Sequence, residues 1–257
     1  MPSCMAHYQF GQDMLQTLNL TLRQLVTAYK SEFDIGLQGP DIFFTYQMLK
    51  NPNLLRYGLK WHTCSANQMF APLFRDKPKK ASSFAYTLGL LCHYFLDSTC
   101  HPYIFGLCRT LPEHWKMEAA YDKAIMRRSG YGAERYPFLP VETLDFTGIA
   151  MIWPNLTQHA VETSIHATYI LKKAFDTKRT LIVLGKLGQT LGKLCFWNDA
   201  ELLTREQAQH EKSLDYFYDQ ALRDGAEMIE TLFQAIGQDQ PLHERFKLNF
   251  FGERVEA

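Results

Sequence analysis

The 257-residue chain carries 27 Lys and Arg against 27 Asp and Glu, and this zero balance weighs against a broad basic surface for nucleic acid or anionic membrane. Hydrophobic residues make up 46% and charged residues 21%, as in an ordinary globular protein, and no apolar run reaches the roughly 18 residues a membrane span needs. The opening MPSCMAHYQFGQDML has neither the basic nor the apolar region of a secretory signal, and the six cysteines lack a framework spacing. Reduced thiols and a cytoplasmic location are therefore expected.

Phe10, Met14, Leu18, Leu22 and Leu25 recur at intervals of three or four, which predicts one face of a single long helix. Asp34 to Asp41, with two glycines and a proline, reads as a loop. Helical patterns resume over 42–50 and 62–74, and DKPKK at 76–80 breaks them. Ala81 to Thr99 is predicted as a helix apolar on most sides. Pro112 sits in the first turn of the next helix, which runs to about Arg128. After a break at 129–140, helices fit 155–177, 179–193 and 210–236. Period-two alternation is scarce and there is no internal repeat. The economical reading is one all-α domain over 1–257, a multi-helix bundle with a helical remainder at 140–240 and a carboxy-terminal tail at 240–257.

The stretch HYFLDSTCHP places His93, Asp97 and His101 at intervals of four. On a continuous helix His93 and His101 would stand about 12 Å apart along the axis, too far to bind one ion together. Asp97 lies between them with two carboxylate oxygens to share. This spacing points to a cluster of metals with Asp97 near its centre. Pro102 biases His101 away from helical geometry, which predicts His101 in a loop just past the helix end. An unpaired carboxylate inside so apolar a helix would be costly, so metal binding is preferred over a structural role. His114 and Glu118, four apart, share a helical face suited to gripping one ion, and Asp122 continues the stripe. Asp41, His62 and His7 supply further ligand types in the same half of the chain. A lone histidine is more often structural, but these residues occur as a set. Gly188 to Lys193 has the wrong spacing for a phosphate loop. His159, Glu162 and His166 read as core or rim, and Cys100 and Cys108 as packing.

Taken in order, these residues resemble the zinc-dependent phospholipases C of bacteria. That family has a His near the amino end, an Asp in a loop after the first helices and a further His, matched by His7, Asp41 and His62. It then has His-x3-Asp, a His near a proline, and His-x3-Glu on a following helix, matched by His93/Asp97, His101 and His114/Glu118. The motif covers residues 1–125. The resemblance implies an all-α bundle of that type holding two or three zinc ions. It assigns His62, His93 and Asp97 to one zinc with Asp41 nearby, and His101, His114 and Glu118 to a second. His7 would join a third, with Asp97 bridging. Asp41 would be the catalytic residue that orients or deprotonates the attacking water. The implied substrate is a phosphodiester, a phospholipid or a lipid head group. Two alternatives stay open: a zinc-dependent single-strand nuclease-like phosphodiesterase, and a non-catalytic zinc-binding helical protein. The balanced charge ranks nucleic acid below the lipid-type substrates.

Overall fold

A computed structural model describes residues 4–45, 52–76, 80–130, 141–175 and 205–255. Among them are eleven α-helices and no strand, apart from one isolated bridge between Leu248 and Arg254. The all-α class read from the periodicity is the class observed.

The predicted first helix is two, α1 (Cys4–Thr17) and α2 (Leu20–Ala28). Asn19 parts them. Its extended backbone ends the hydrogen-bond ladder, and its side chain accepts from the N–H of Leu22 at 3.1 Å, capping α2. The apolar spacing runs across this break, so Phe10, Met14, Leu18 and Leu22 still share one core. Most of the expected loop after it is helical: α3 (Lys30–Gly36) takes its start and a 3₁₀ turn at Gly39–Asp41 its end, and α4 (Ile42–Thr45) follows. The pattern at 62–74 spans the end of α5 (Pro52–Thr63) and most of α6 (Ala66–Asp76). The rest of the 42–50 pattern, the 179–193 helix and the glycines at 188–192 lie outside the described residues.

The centre of the fold is α7 (Ala81–Leu107), buried along nearly all of its length to His101. Helices α1 and α3 pack directly on it, as does the long α11 (Arg205–Gln234). Next comes α8 (Leu111–Arg128), whose start carries a capping box. The Glu113 carboxylate accepts from the Thr110 N–H at 3.1 Å, and the Thr110 hydroxyl accepts from the Glu113 N–H at 3.4 Å. Two further helices, α9 (Phe146–Ala150) and α10 (Gln158–Phe175), complete the described set. No helix among the described residues is long and apolar enough to cross a membrane.

One expectation needs correction. Helix α7 does not stop at Thr99 but runs through His101 and Pro102 to Leu107, so His101 is a helical residue. Pro102 has no N–H for the Ser98 carbonyl. The carboxy-terminal segment covers that spot, with Gly252 so close that a Cβ on it would lie 2.6 Å from Ser98 O and 2.5 Å from Pro102 Cγ. Tertiary packing here overrides the local bias of the proline. Within the carboxy-terminal segment, Phe246 and Phe250 are fully buried. Leu248 O accepts from the Ala66 N–H at 2.9 Å.

Candidate metal centre

Every expected ligand is brought to one region, and each arrives for a local reason. Helix α7 carries His93, Asp97 and His101 in successive turns, all buried. The 3₁₀ turn before α4 lies on the His93 ring. Gly39 there has φ +55°, and a Cβ on it would come within 2.4 Å of that ring, so only glycine fits both the backbone and the contact. This turn aims Asp41 at His62, which ends α5; Asp41 Oδ1 lies 3.1 Å from His62 Nε2. From α1, His7 stacks on His93 at 4.0 Å and points Nε2 at Asp97 Oδ1, 3.1 Å away. On α8, His114 Nε2 is 2.9 Å from Glu118 Oε1, which also lies 3.3 Å from His101 Nε2. Asp122 does not extend the ligand stripe. Its carboxylate accepts from the N–H groups of Met5 and Ala6 at 3.2 and 2.8 Å, capping the start of α1 and thereby placing His7.

The ligand atoms form three groups, each within 4.8 Å: His7, His93 and Asp97; Asp41, His62 and His93; His101, His114 and Glu118. The last is the trio that the resemblance implies. The first two divide the other residues differently from the implied sharing. His93 belongs to both, Asp41 joins His62 as a full member, and Asp97 sides with His7. The cause is the direction of the Asp97 oxygens, Oδ1 toward His7 and Oδ2 toward His93 at 3.0 Å.

Hydrogen bonding on the far side of the rings fixes what these groups can hold. Nδ1 of His62 meets Gly58 O at 2.9 Å, that of His93 meets Leu37 O at 3.0 Å, and that of His101 meets Phe250 O at 2.8 Å. A carbonyl only accepts, so each Nδ1 carries the proton and a neutral ring presents a bare Nε2. Those Nε2 atoms face carboxylate oxygens. Lone pairs then confront lone pairs unless a positive charge lies between them. His93 Nε2 and Glu118 Oε2 are buried with no hydrogen-bond partner, which is costly without a cation. A cavity of about 20 Å³ adjoins His7, Asp97, His101 and Glu118, room for about one ion or water. Nitrogen and oxygen ligands with main-chain carbonyls behind the imidazoles suit zinc.

Without metal, protons fill the same need. Burial depresses the His101 ring, but the Asp97 and Glu118 carboxylates outweigh it and lift its pKa to about 9. His93 is also raised against burial, mainly by Asp97. Burial and the His93 charge push His7 down. Burial would raise Asp97, yet His101, His93 and His7 hold it well below the usual carboxylate range. The Cys100 thiol is pushed up by burial and, as expected, belongs to packing. His166 bonds Glu162 O through Nδ1 at 2.9 Å and stacks on Phe146, the structural place read for it.

The family model for zinc dependent phospholipase C matches residues 6–182, well over half the chain. The chain belongs to the zinc dependent phospholipase C family. All eight expected ligands fall inside the matched span. No curated protein and no solved structure matches the chain. What sequence reading missed at the centre is its main-chain part, the carbonyls of Leu37, Gly58 and Phe250. Only the glycine at 39 hints at one of them, because a carbonyl carries no residue-type signal.

Two expectations can be measured. Zinc binding needs a bare His101 Nε2, so loading the metal-free protein near pH 7.5 should release about one proton from that ring. Release should fade as pH rises past about 9; calorimetry in buffers of different ionisation enthalpy counts it. In the metal-free fold the raised pKa contributes stability that is full below about pH 6.5 and lost as pH rises through about 9. Second, His114→Ala and Glu118→Ala should each remove mainly the same single ion and lower the melting temperature of the zinc-loaded protein. Elemental analysis of both variants checks this, and full metal content in either would misplace that group.

Proposed function

We propose that the chain is a zinc-dependent hydrolase of phosphodiesters, working in the manner of a phospholipase C on a phospholipid or a related dispersed diester. The observation that carries this reading is the convergence of five imidazoles and three carboxylates into three groups of three, two of which share His93. A structural zinc site closes around four protein ligands; groups of three that share residues leave positions for water and substrate oxygen. Zinc bound there would supply a Lewis acid for the phosphoryl oxygens and lower the pKa of a bound water.

The remaining work falls to the chain's own residues. Asp41 is the best placed to handle a proton. Its side chain is 17% exposed, against 10% for Asp97 and 7% for Glu118, so it is the most outward-facing of the three. Burial raises its pKa, but its surroundings, the His62 ring among them, more than reverse this and hold the carboxyl well below the usual carboxylate range. An ionised carboxylate at that point can accept the proton of an attacking water as the water oxygen bonds to phosphorus. The P–O bond to the alcohol breaks, the alcohol leaves with a proton, and a phosphomonoester remains. Asp97 and Glu118 hold position: Asp97 faces three imidazoles and Glu118 two, and both are buried. Phe44 stacks on His62 at 5.0 Å, and Phe105 lies 5.4 Å from the His101 ring and 4.7 Å from His114. These rings flank the ligands with apolar surface and keep bulk water from their outer sides.

Asp41→Asn keeps size and one acceptor oxygen but removes the negative charge. It should cut turnover by about a hundredfold to ten-thousandfold while most zinc stays bound. A normal rate and an unshifted pH profile in steady-state kinetics would remove Asp41 from the chemistry. For substrate class, zinc-loaded protein should cleave a choline-type phosphodiester or its chromogenic analogue in preference to single-stranded DNA or RNA, compared at matched concentration and two salt levels. Salt-sensitive digestion of nucleic acid without diester-lipid turnover would reverse the assignment.

A further inference from the structure

The family match ends at residue 182, yet one metal-facing histidine is oriented by a residue far beyond it. We infer that the carboxy-terminal strap Arg245–Gly252 is a positioning element of the metal centre, acting on the group of His101, His114 and Glu118. The inference rests on the zinc reading above and adds a residue set that no ligand motif contains.

The three anchored imidazoles differ in where their anchors come from. His62 is held by Gly58, one turn back in its own helix, and His93 by Leu37 in the turn that also carries Asp41. His101 alone is held by the strap, through Phe250 O at 2.8 Å. That carbonyl fixes the His101 tautomer, so the strap decides whether a bare Nε2 faces Glu118. The strap itself is tied down on both sides. Toward α7, the Tyr94 hydroxyl donates to Arg245 O at 2.6 Å, and the Arg245 guanidinium donates to the hydroxyls of Ser98 and Thr99. Toward α5 and α6, the Phe250 N–H donates to His62 O at 3.2 Å, and Leu248 O accepts from Ala66.

The strap's own bend is set by Asn249 and Gly252. The Asn249 side-chain oxygen accepts from the N–H groups of Phe251 and Glu253, both at 2.9 Å. Asn249 is 2% exposed, and removing its side chain takes both bonds from the bend. Gly252 has φ +75° and rests on Pro102 and the Ser98 carbonyl. Pro102 is thus useful where it stands. A residue with an N–H there would tie up that carbonyl, and a residue with a Cβ at 252 would lift the strap off the helix. Beside the anchor, the Phe251 ring lies 5.5 Å from His101, 5.8 Å from His62 and 5.3 Å from Phe105. Its side chain touches the cleft without supplying the carbonyl, which makes it the control.

Full-length wild type, Gly252→Ala, Asn249→Ala and Phe251→Ala would be loaded with zinc, titrated against a chelator, and counted by elemental analysis, with circular dichroism to show the fold. Outer-shell partners of a metal-bound imidazole typically change affinity by about 10–100-fold. Gly252→Ala and Asn249→Ala should weaken one ion per chain by about that factor and spare another. In ¹⁵N-histidine-labelled protein they should also lose the slowly exchanging Nδ1–H resonance of His101. Phe251→Ala should keep both ions and the resonance. If Gly252→Ala fails to fold, Asn249→Ala, which removes atoms without a clash, decides alone. Unchanged zinc affinity with the resonance intact in folded Asn249→Ala would overturn the inference. So would equal weakening of every ion, which is general destabilisation. Wild type that takes up no zinc would sink the metal reading and this inference together, whereas zinc-loaded protein inactive on every diester would leave the strap standing and fault only the reaction.

Discussion

The structure turns on imidazole nitrogens that face carboxylates where water does not reach. Once a main-chain carbonyl takes the Nδ1 proton of His93 or His101, the opposite nitrogen has only a lone pair to offer. Beyond it stand Asp97 and Glu118, which have only lone pairs too. Each such encounter is repulsive until a proton or a metal ion is shared. Placing these encounters inside α7 and α8 therefore commits the fold to sharing a proton or a metal ion at each of them. The same feature explains the opposing pKa directions in the cluster. Carboxylates are held down and His93 and His101 up because each side stabilises the charge of the other, against a burial term that disfavours both.

That commitment sets the architecture around it. Three ligands on one helix span two turns, so no single ion can serve all of them. Partners must approach α7 from several directions. His7 comes from α1, Asp41 from the turn after α3, His62 from α5, and His114 with Glu118 from α8. Three of the four suppliers are pinned by a specific local device as well as by apolar packing. Asp122 caps α1, Gly39 admits the turn against His93, and the capping box starts α8 at the right residue. A buried helix carrying ionisable groups is tolerable because every neighbour contributes something that compensates charge.

The legible part of this in the sequence was the part written in side-chain types. Intervals of four gave the stripe His93, Asp97, His101 and the pair His114, Glu118, and both lie as spaced. The long apolar run marked α7 as the buried centre. Boundaries were less legible. The break at Asn19 is invisible to an apolar period that continues across it. The proline at 102 argued for a helix end that packing overrode. How the ligands divide into groups was not legible either, since it depends on which way each Asp97 oxygen points. Nor could any pattern show that residue 250 returns to touch residue 101. Such pairings are decided by tertiary packing and use the backbone, which is common to every residue.

The charge balance also takes on a different meaning once the site is known. A chain with no net charge was read as lacking a basic surface, and a phosphodiester is an anion. The attraction does not need surface lysines. Asp41, Asp97 and Glu118 bring three negative charges, and five neutral imidazoles bring none. Two zinc ions would bring four positive charges and leave the cluster cationic by one; a third ion would leave it cationic by three. In a buried, weakly screened setting even one uncompensated charge acts strongly on an anion that reaches it. It also favours hydroxide over water at the same place. On the proposed reading, specificity for an anionic diester is thus concentrated at a few ångströms' range.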